Sequence, residues 1–199
     1  SAFNRTLHWY TAILFIILAI SGLSMLFGKK LLIPLLGAQG FAGYANFAIG
    51  VHNYLGPFFA IGVLLIVVLW IRHNLPSKGD LKWILRGGGL VGKGHVSAGR
   101  MNAGEKVWFW IICTVGVAVC VTGLVLIDFP NQVQGLAISE MGYTRETMQY
   151  SSIIHAGLAI LWIGAFFGHA YIGSIGSEGS LEAMSTGRVD ANWAMQHHD

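Results

Sequence analysis

The stretch SSIIHAGLAILWIGAFFGHAYIG, residues 151–173, is apolar enough to cross a membrane and yet carries two histidines, His155 and His169. An ionisable side chain in hydrocarbon costs about 2.5 kcal/mol or more, and such groups face a bundle interior where a partner or ligand meets them. His169 follows His155 by fourteen residues. On a helix that is about 21 Å of rise and within about 40° of whole turns, so both side chains point toward one side at two depths. The stretch reads as one wall of a membrane helix bundle.

Composition agrees. Of the 199 residues, 54% are hydrophobic and 11% are charged, and the mean hydropathy is +0.61. A soluble domain carries about 25% charged residues. The length leaves room for several membrane spans with short connections and for no second soluble domain, so residues 1–199 read as one domain. The net charge of +3 does not indicate nucleic acid, because the basic residues cluster in one connection between apolar runs, where membrane topology accounts for them.

Four apolar runs, at about 9–27, 47–71, 107–127 and 151–174, approach the roughly 20 residues that a helix needs to cross the hydrocarbon core. The first has Arg5 before it, no small-residue cleavage site after it, and the Lys29-Lys30 pair at its end. It reads as a retained span, not a signal peptide. Pro57 lies inside the second run, where a membrane helix tolerates it with a kink. The fold class is all-α, a four-helix transmembrane bundle.

Orientation follows from the Lys and Arg count of short flanking segments, which are enriched on the cytoplasmic side. Residues 72–106 hold seven (Arg72, Lys78, Lys82, Arg86, Lys93, Arg100 and Lys106) against Asp80 and Glu105, whereas 128–150 hold Arg145 against Asp128, Glu140 and Glu146. The middle connection is therefore cytoplasmic, and four spans put both termini there too. Lys29 and Lys30 point the other way without reversing the count.

In this orientation spans two and four both run inward, so His52 and His155, each near the start of its helix, share an outer depth. Span one runs outward, with His8 at its inner end, opposite His169. A pair of imidazoles from facing helices suits a b-type haem, whose iron takes one axial ligand on each face. Two such pairs make two stacked haems. Gly157, Gly168, Gly50 and Gly56 near these histidines leave room for a flat macrocycle. Each histidine alone reads equally as a hydrogen-bonding group against a neighbouring helix; it is the matched depths that favour haem.

Further segments carry a resemblance: NRTLHW at 4–9, VHNYLGPFFA at 51–60, RHNLPSKGDLKW at 72–83, GRMNAGEKVWFW at 99–110, SSIIHAGLAI at 151–160 and GSLEAMSTGRVDANWAMQHH at 179–198. Through these the chain resembles, nearly end to end, the gamma subunit of membrane-bound respiratory formate dehydrogenase, a dihaem cytochrome b of the bacterial inner membrane. The resemblance implies His8, His155 and His169 as haem ligands. In some members the second-helix histidine stands one turn later, where this chain has Gly56; residues 52 and 56 share a helix face, so the role falls to His52. It also implies electron transfer to a quinone, menaquinone or ubiquinone, and two partners. These are an iron–sulfur (beta) subunit and a catalytic molybdenum or tungsten (alpha) subunit, since no pterin, molybdenum or iron–sulfur motif is visible in this chain.

The same family places a quinone near the asparagine before span three, which here is Asn102, with Gly104 following. An amide donates to a quinone carbonyl and a glycine lets the backbone approach a ring. From the residues alone, Asn102 with Glu105 three positions on reads as a capping box at a helix start. The two roles are compatible.

Other residues take plainer readings. Cys113 and Cys120, about 10 Å apart in rise, are too far for a disulfide and read as small packing residues. His73, His95, His197 and His198 read as solvated, protein-contacting or propionate-near groups, and the seven tryptophans mostly as interfacial anchors. The rival readings are the cytochrome b of a related oxidoreductase such as a nickel–iron hydrogenase, told apart by its partners, and a transporter using histidines as a proton relay. The scarcity of acidic residues in the spans weighs against a relay.

Overall fold

The computed structural model describes residues 1–87, 101–127, 143–176 and 179–191. Lys93, Arg100, His95, Asp128, Glu140, His197 and His198 lie outside the described residues. Helix α1 spans Ala2–Leu31 and α2 spans Ile33–Trp70, followed by a 3₁₀ turn, Ile71–His73. A short α3, Lys78–Leu85, precedes the third long segment, in which α4 (Ala103–Ile111) passes through one π-helical turn, Ile112–Gly116, into α5 (Val117–Leu126). Helix α6 spans Arg145–Ile172, and a short α7, Ser180–Ser185, follows. There is no strand among the described residues.

Four of these segments, 30, 41, 24 and 28 residues long, are long and apolar enough to cross a membrane. Even the 24-residue one reaches about 36 Å, beyond the roughly 30 Å hydrocarbon core. Their bounds differ from the apolar runs. Helix α1 starts at Ala2, capped by Ser1 Oγ, which accepts from Asn4 N at 3.4 Å, so His8 sits well inside it. Residues 28–46, expected as a connection, are nearly all helical: Pro34 falls in the first turn of α2, where a missing N–H costs nothing, and only Gly37 leaves helical angles. Gly37, at φ 70°, is where α2 departs from helical angles; Pro57, where the kink is expected, stays within helical backbone.

Helix α1 packs mainly on α2 and α5 on α6, with α2 also meeting α5. The core between them is Leu14, Leu18, Phe59, Val63, Val119 and Trp162, with Phe15 packed against it, and a smaller cluster of Leu7, Ile66 and Phe109 lies toward one end. A Cβ on Gly116 would come within 2.8 Å of the Trp162 indole, so the π turn delivers bare backbone to the largest core side chain. Cys120 packs against the first cluster and Cys113 against the second. Outward-facing Ile20, Leu64, Val68, Ile153, Leu161 and Phe167 are exposed. In a bilayer such side chains meet lipid tails as apolar as themselves.

Polar latches hold one end together. Lys106 Nζ of α4 lies 2.8 Å from Asp80 Oδ1 and 3.0 Å from Ser77 Oγ, and Ser77 N donates to Asp80 Oδ2 at 2.6 Å. Trp110 Nε1 donates to the Asn74 carbonyl, and Trp9 Nε1 to the Met184 carbonyl, which fastens α7 to the first turns of α1. Burial alone pushes the Asp80 carboxyl up, but hydrogen bonds from Lys106 and Ser77, with the Lys106 charge, outweigh it and hold the group below the usual carboxylate range. A depressed folded value means stabilisation that is present above the unfolded value, about pH 4, and is lost as pH falls through the folded one. Asp80→Asn should therefore lower stability at pH 7 by about 1 kcal/mol. Thermal unfolding in detergent should show the gap to the unmodified protein closing as the pH drops below about 4.

Candidate functional site

The long helices bring the four histidines together in two pairs. His52 of α2 faces His155 of α6 with ring centroids 6.2 Å apart, and His8 of α1 faces His169 of α6, also at 6.2 Å. Trp162 lies seven residues from each α6 histidine, buried midway between the two levels and in contact with Phe15 and Phe59 at centroid distances of 5.0 and 5.6 Å. At the His8 level, Trp108 of α4 stacks on His169, 4.4 Å away and 6° from parallel.

Hydrogen bonds at Nδ1 orient both rings at the His52/His155 level. Ser21 Oγ lies 2.9 Å from His52 Nδ1 and 2.9 and 3.1 Å from the Ile17 and Leu18 carbonyls, so with its single proton given to its own helix it accepts from Nδ1. His155 Nδ1 lies 3.0 Å from the Val119 carbonyl and 3.2 Å from Thr122 Oγ1, whose own proton goes to Ala118 or Val119. The Val119 carbonyl can only accept, so His155 Nδ1 carries the proton and its Nε2 presents a lone pair; His52 takes the same tautomer when Ser21 gives its proton to its own helix. That is the second-shell arrangement of a metal-binding histidine. At the other level His8 Nδ1 is buried with no hydrogen-bond partner.

A cavity of about 350 Å³ opens between the helices at the His52/His155 level, and Gly22, Gly56 and Gly123 form part of its wall. A Cβ on Gly22 would stand 3.2 Å from His52 Cε1, and one on Gly123 3.0 Å from His155 Cε1. Gly56 faces open space in that wall, whereas Gly50, Gly157 and Gly168 are not part of it. Among the described residues no group of three or more His, Cys, Asp or Glu side chains gathers as a metal site. Two imidazoles alone cannot complete a tetrahedral site of four protein ligands. They suit an iron whose other ligands come from a macrocycle.

The prokaryotic cytochrome b561 family model matches residues 1–187. The chain belongs to that family. It is similar to the nitrate-inducible formate dehydrogenase cytochrome b556(Fdn) subunit of Escherichia coli K12, at 31% identity over 198 residues, which cover 98% of this chain and 85% of the relative. The formate dehydrogenase cytochrome b556(fdo) subunit of the same strain is 28% identical, with 98% and 86% covered, and the formate dehydrogenase cytochrome b556 subunit of Haemophilus influenzae is 24% identical, with 98% and 77% covered. Membership in the cytochrome b561 family, with four membrane-spanning helices, makes this a multi-pass membrane cytochrome that binds haem b and serves electron transfer.

The residues present fit that cofactor. Two metal–nitrogen bonds of about 2 Å, extended to the centres of both imidazoles, come to about 6 Å, the spacing of both pairs. The cytochrome b561 reading also accounts for the bare Nε2 atoms and the glycine-walled cavity. Asn102 is the N-cap of α4: its Oδ1 accepts from Glu105 N at 2.9 Å and its N donates to Glu105 Oε2 at 2.8 Å, a complete capping box. This leaves Nδ2 as the donor a quinone role calls for. The ring that approaches Gly104 is the Trp83 indole, 3.1 Å from where a Cβ would stand. Ser21, Gly22, Thr122, Gly123 and Trp108 are site residues that the sequence reading did not single out. The signal for the first four was a hydroxyl–glycine dipeptide, Ser21-Gly22 and Thr122-Gly123, inside each of two apolar runs; Trp108 had none.

Proposed function

We propose that the chain is the dihaem cytochrome b subunit of a respiratory formate dehydrogenase, carrying electrons across the bacterial inner membrane from an iron–sulfur partner to a quinone. One haem b sits between His52 and His155 and a second between His8 and His169. The single observation that carries this reading is the 6.2 Å ring spacing repeated in both pairs. When bound, each haem supplies a one-electron carrier. The chain's own residues do the rest: His Nε2 atoms ligate, Ser21, Val119 and Thr122 hold the rings, and the apolar core around Trp162 excludes water between the two levels.

Formate oxidation belongs in this reading to partners, a catalytic molybdenum or tungsten (alpha) subunit and an iron–sulfur (beta) subunit; the relatives' names, which make them subunits of formate dehydrogenases, support a multi-subunit complex. The iron–sulfur partner docks on the outer side, at the His52/His155 level. Both termini and the basic connection are cytoplasmic. Menaquinone or ubiquinone binds near the His8/His169 level, with Asn102 Nδ2 donating to a carbonyl. Gly104 lets Trp83 close beneath that site.

The purified chain should contain two non-covalent haems per polypeptide and show the reduced-minus-oxidised bands of low-spin, bis-histidine iron. Haem extraction with a protein assay gives the ratio. A folded preparation without haem, or with haem covalently attached, would sink the reading.

A further inference from the structure

Resting on the assignment of a haem to each pair, we infer that the dipeptides Ser21-Gly22 and Thr122-Gly123 are matched seats that orient the His52 and His155 rings and lower the midpoint potential of that haem relative to the other. The two seats are built alike on different helices. In each, a hydroxyl with its proton given to its own helix accepts from Nδ1, at 2.9 Å for Ser21 and, beside the nearer Val119 carbonyl at 3.0 Å, at 3.2 Å for Thr122, so the loss of Ser21 carries most of the expected shift. In each, the next residue is a glycine whose missing Cβ leaves room for the ring's Cε1, at 3.2 Å for Gly22 and 3.0 Å for Gly123. Helix α1 thus seats a histidine of α2, and α5 seats a histidine of α6. An acceptor on Nδ1–H raises the basicity of Nε2. A more basic ligand favours the oxidised iron, and second-shell hydrogen bonding is one of the levers that set haem potentials.

The other pair is held differently. His8 Nδ1 is buried without a partner, and His169 is positioned by the face of Trp108 at 4.4 Å. An unpartnered Nδ1–H leaves its imidazole a weaker donor, so that haem holds an electron more readily. The chain's hydrogen bonding therefore makes the step from the His52/His155 level to the His8/His169 level downhill. Ser21, Gly22, Thr122 and Gly123 are positioning residues in this scheme, acting through the ligands.

The test is a redox titration of both haems in the full chain carrying Ser21→Ala and Thr122→Val together, beside the conservative variant Ser21→Thr with Thr122→Ser. The Ala/Val protein should keep two haems and hold the His52/His155 haem about tenfold more reduced at a fixed ambient potential, a rise of about 59 mV for one electron. The other haem should not move, and the Thr/Ser protein should titrate as the unmodified one does. Loss of the His52/His155 haem from the Ala/Val protein alone would also support the seats. An unmoved midpoint with two haems retained, or loss of haem from both variants, would overturn the inference. His155→Ala serves as the control for the underlying assignment: if it removes no haem, the ligand reading itself fails, and the seats fail with it for a different reason.

Discussion

Replacing His155 with alanine is expected to strip one haem from the protein and leave the other in place. His155 supplies one of only two protein ligands at its level, and its partner His52 cannot reach across a 6.2 Å ring spacing to complete the coordination alone. Altering a second-shell partner already costs roughly 10–100-fold in metal affinity, so removing the ligand itself should exceed that and empty the site. Haem content should fall from two to one, and reduction of the remaining haem by the iron–sulfur partner should stop, because the first carrier is gone. His8→Ala should do the converse, with one haem lost and the His52/His155 haem still reducible by the partner. If His8→Ala removed the haem of the other level selectively, the pairing would be wrong. His52→Ala tests the remaining ambiguity: Gly56, one turn on, lines the same cavity without a ligating side chain, so two haems surviving in that variant would mean a ligand from elsewhere.

The architecture was readable from the sequence because a membrane imposes so few options. Four long apolar runs become four helices, and the histidines could be ordered by depth by counting residues at helical rise from the ends of their runs. Counting placed His52 beside His155 and His8 beside His169, and those are the rings that meet. What counting could not supply was contact across helices. Ser21 and Thr122 look like ordinary small polar residues until packing puts them against His52 and His155. The tryptophans read mostly as interfacial anchors, which singles out neither Trp108, stacked on His169, nor Trp162, buried midway between the levels. Hydropathy also missed the helical continuation through 28–46, because Lys29, Lys30 and the small and polar residues of 37–46 interrupt the apolar run without ending the helical backbone. Asn102 is the reverse case, where a local pattern was enough: the capping box with Glu105 forms as its spacing requires.

Direction matters to the energetics of the proposed route. An electron moving from the outer level to the inner one travels against the resting membrane potential, which opposes it by up to about 2.3 kcal/mol per 100 mV. The hydrogen-bond asymmetry between the two histidine pairs works in the opposite sense, since it makes the inner haem the better acceptor. A chain that held both pairs identically would have to meet that opposition from the donor and the quinone alone.

Exit from the inner level is where the second large effect is expected, and Asn102 is the residue to change. It caps α4 six residues before Trp108, about 9 Å along the axis from the indole that stacks on His169. Its Oδ1 is engaged by Glu105 N, so the cap and the proposed quinone contact use different ends of one amide. Asn102→Asp separates them. Aspartate caps a helix as well as asparagine does, and its charge is favourable at a helix N-terminus, so α4 and both haems should be retained. The amide donor is lost, however, and with it a hydrogen bond to a carbonyl that gains negative charge as the quinone is reduced. Hydrogen bonds to charged groups contribute about 1.5–3 kcal/mol, so reoxidation of the haems by quinone should slow by roughly 10–100-fold. Reduction of the haems from the donor side should be unchanged. Asn102→Ala loses the cap as well, about 1 kcal/mol of helix stability, and should show the same slow reoxidation together with a lower unfolding temperature. Stopped-flow reoxidation in the two variants decides between the roles. Normal reoxidation in Asn102→Asp with a defect confined to Asn102→Ala would leave Asn102 a helix cap alone and put the quinone elsewhere.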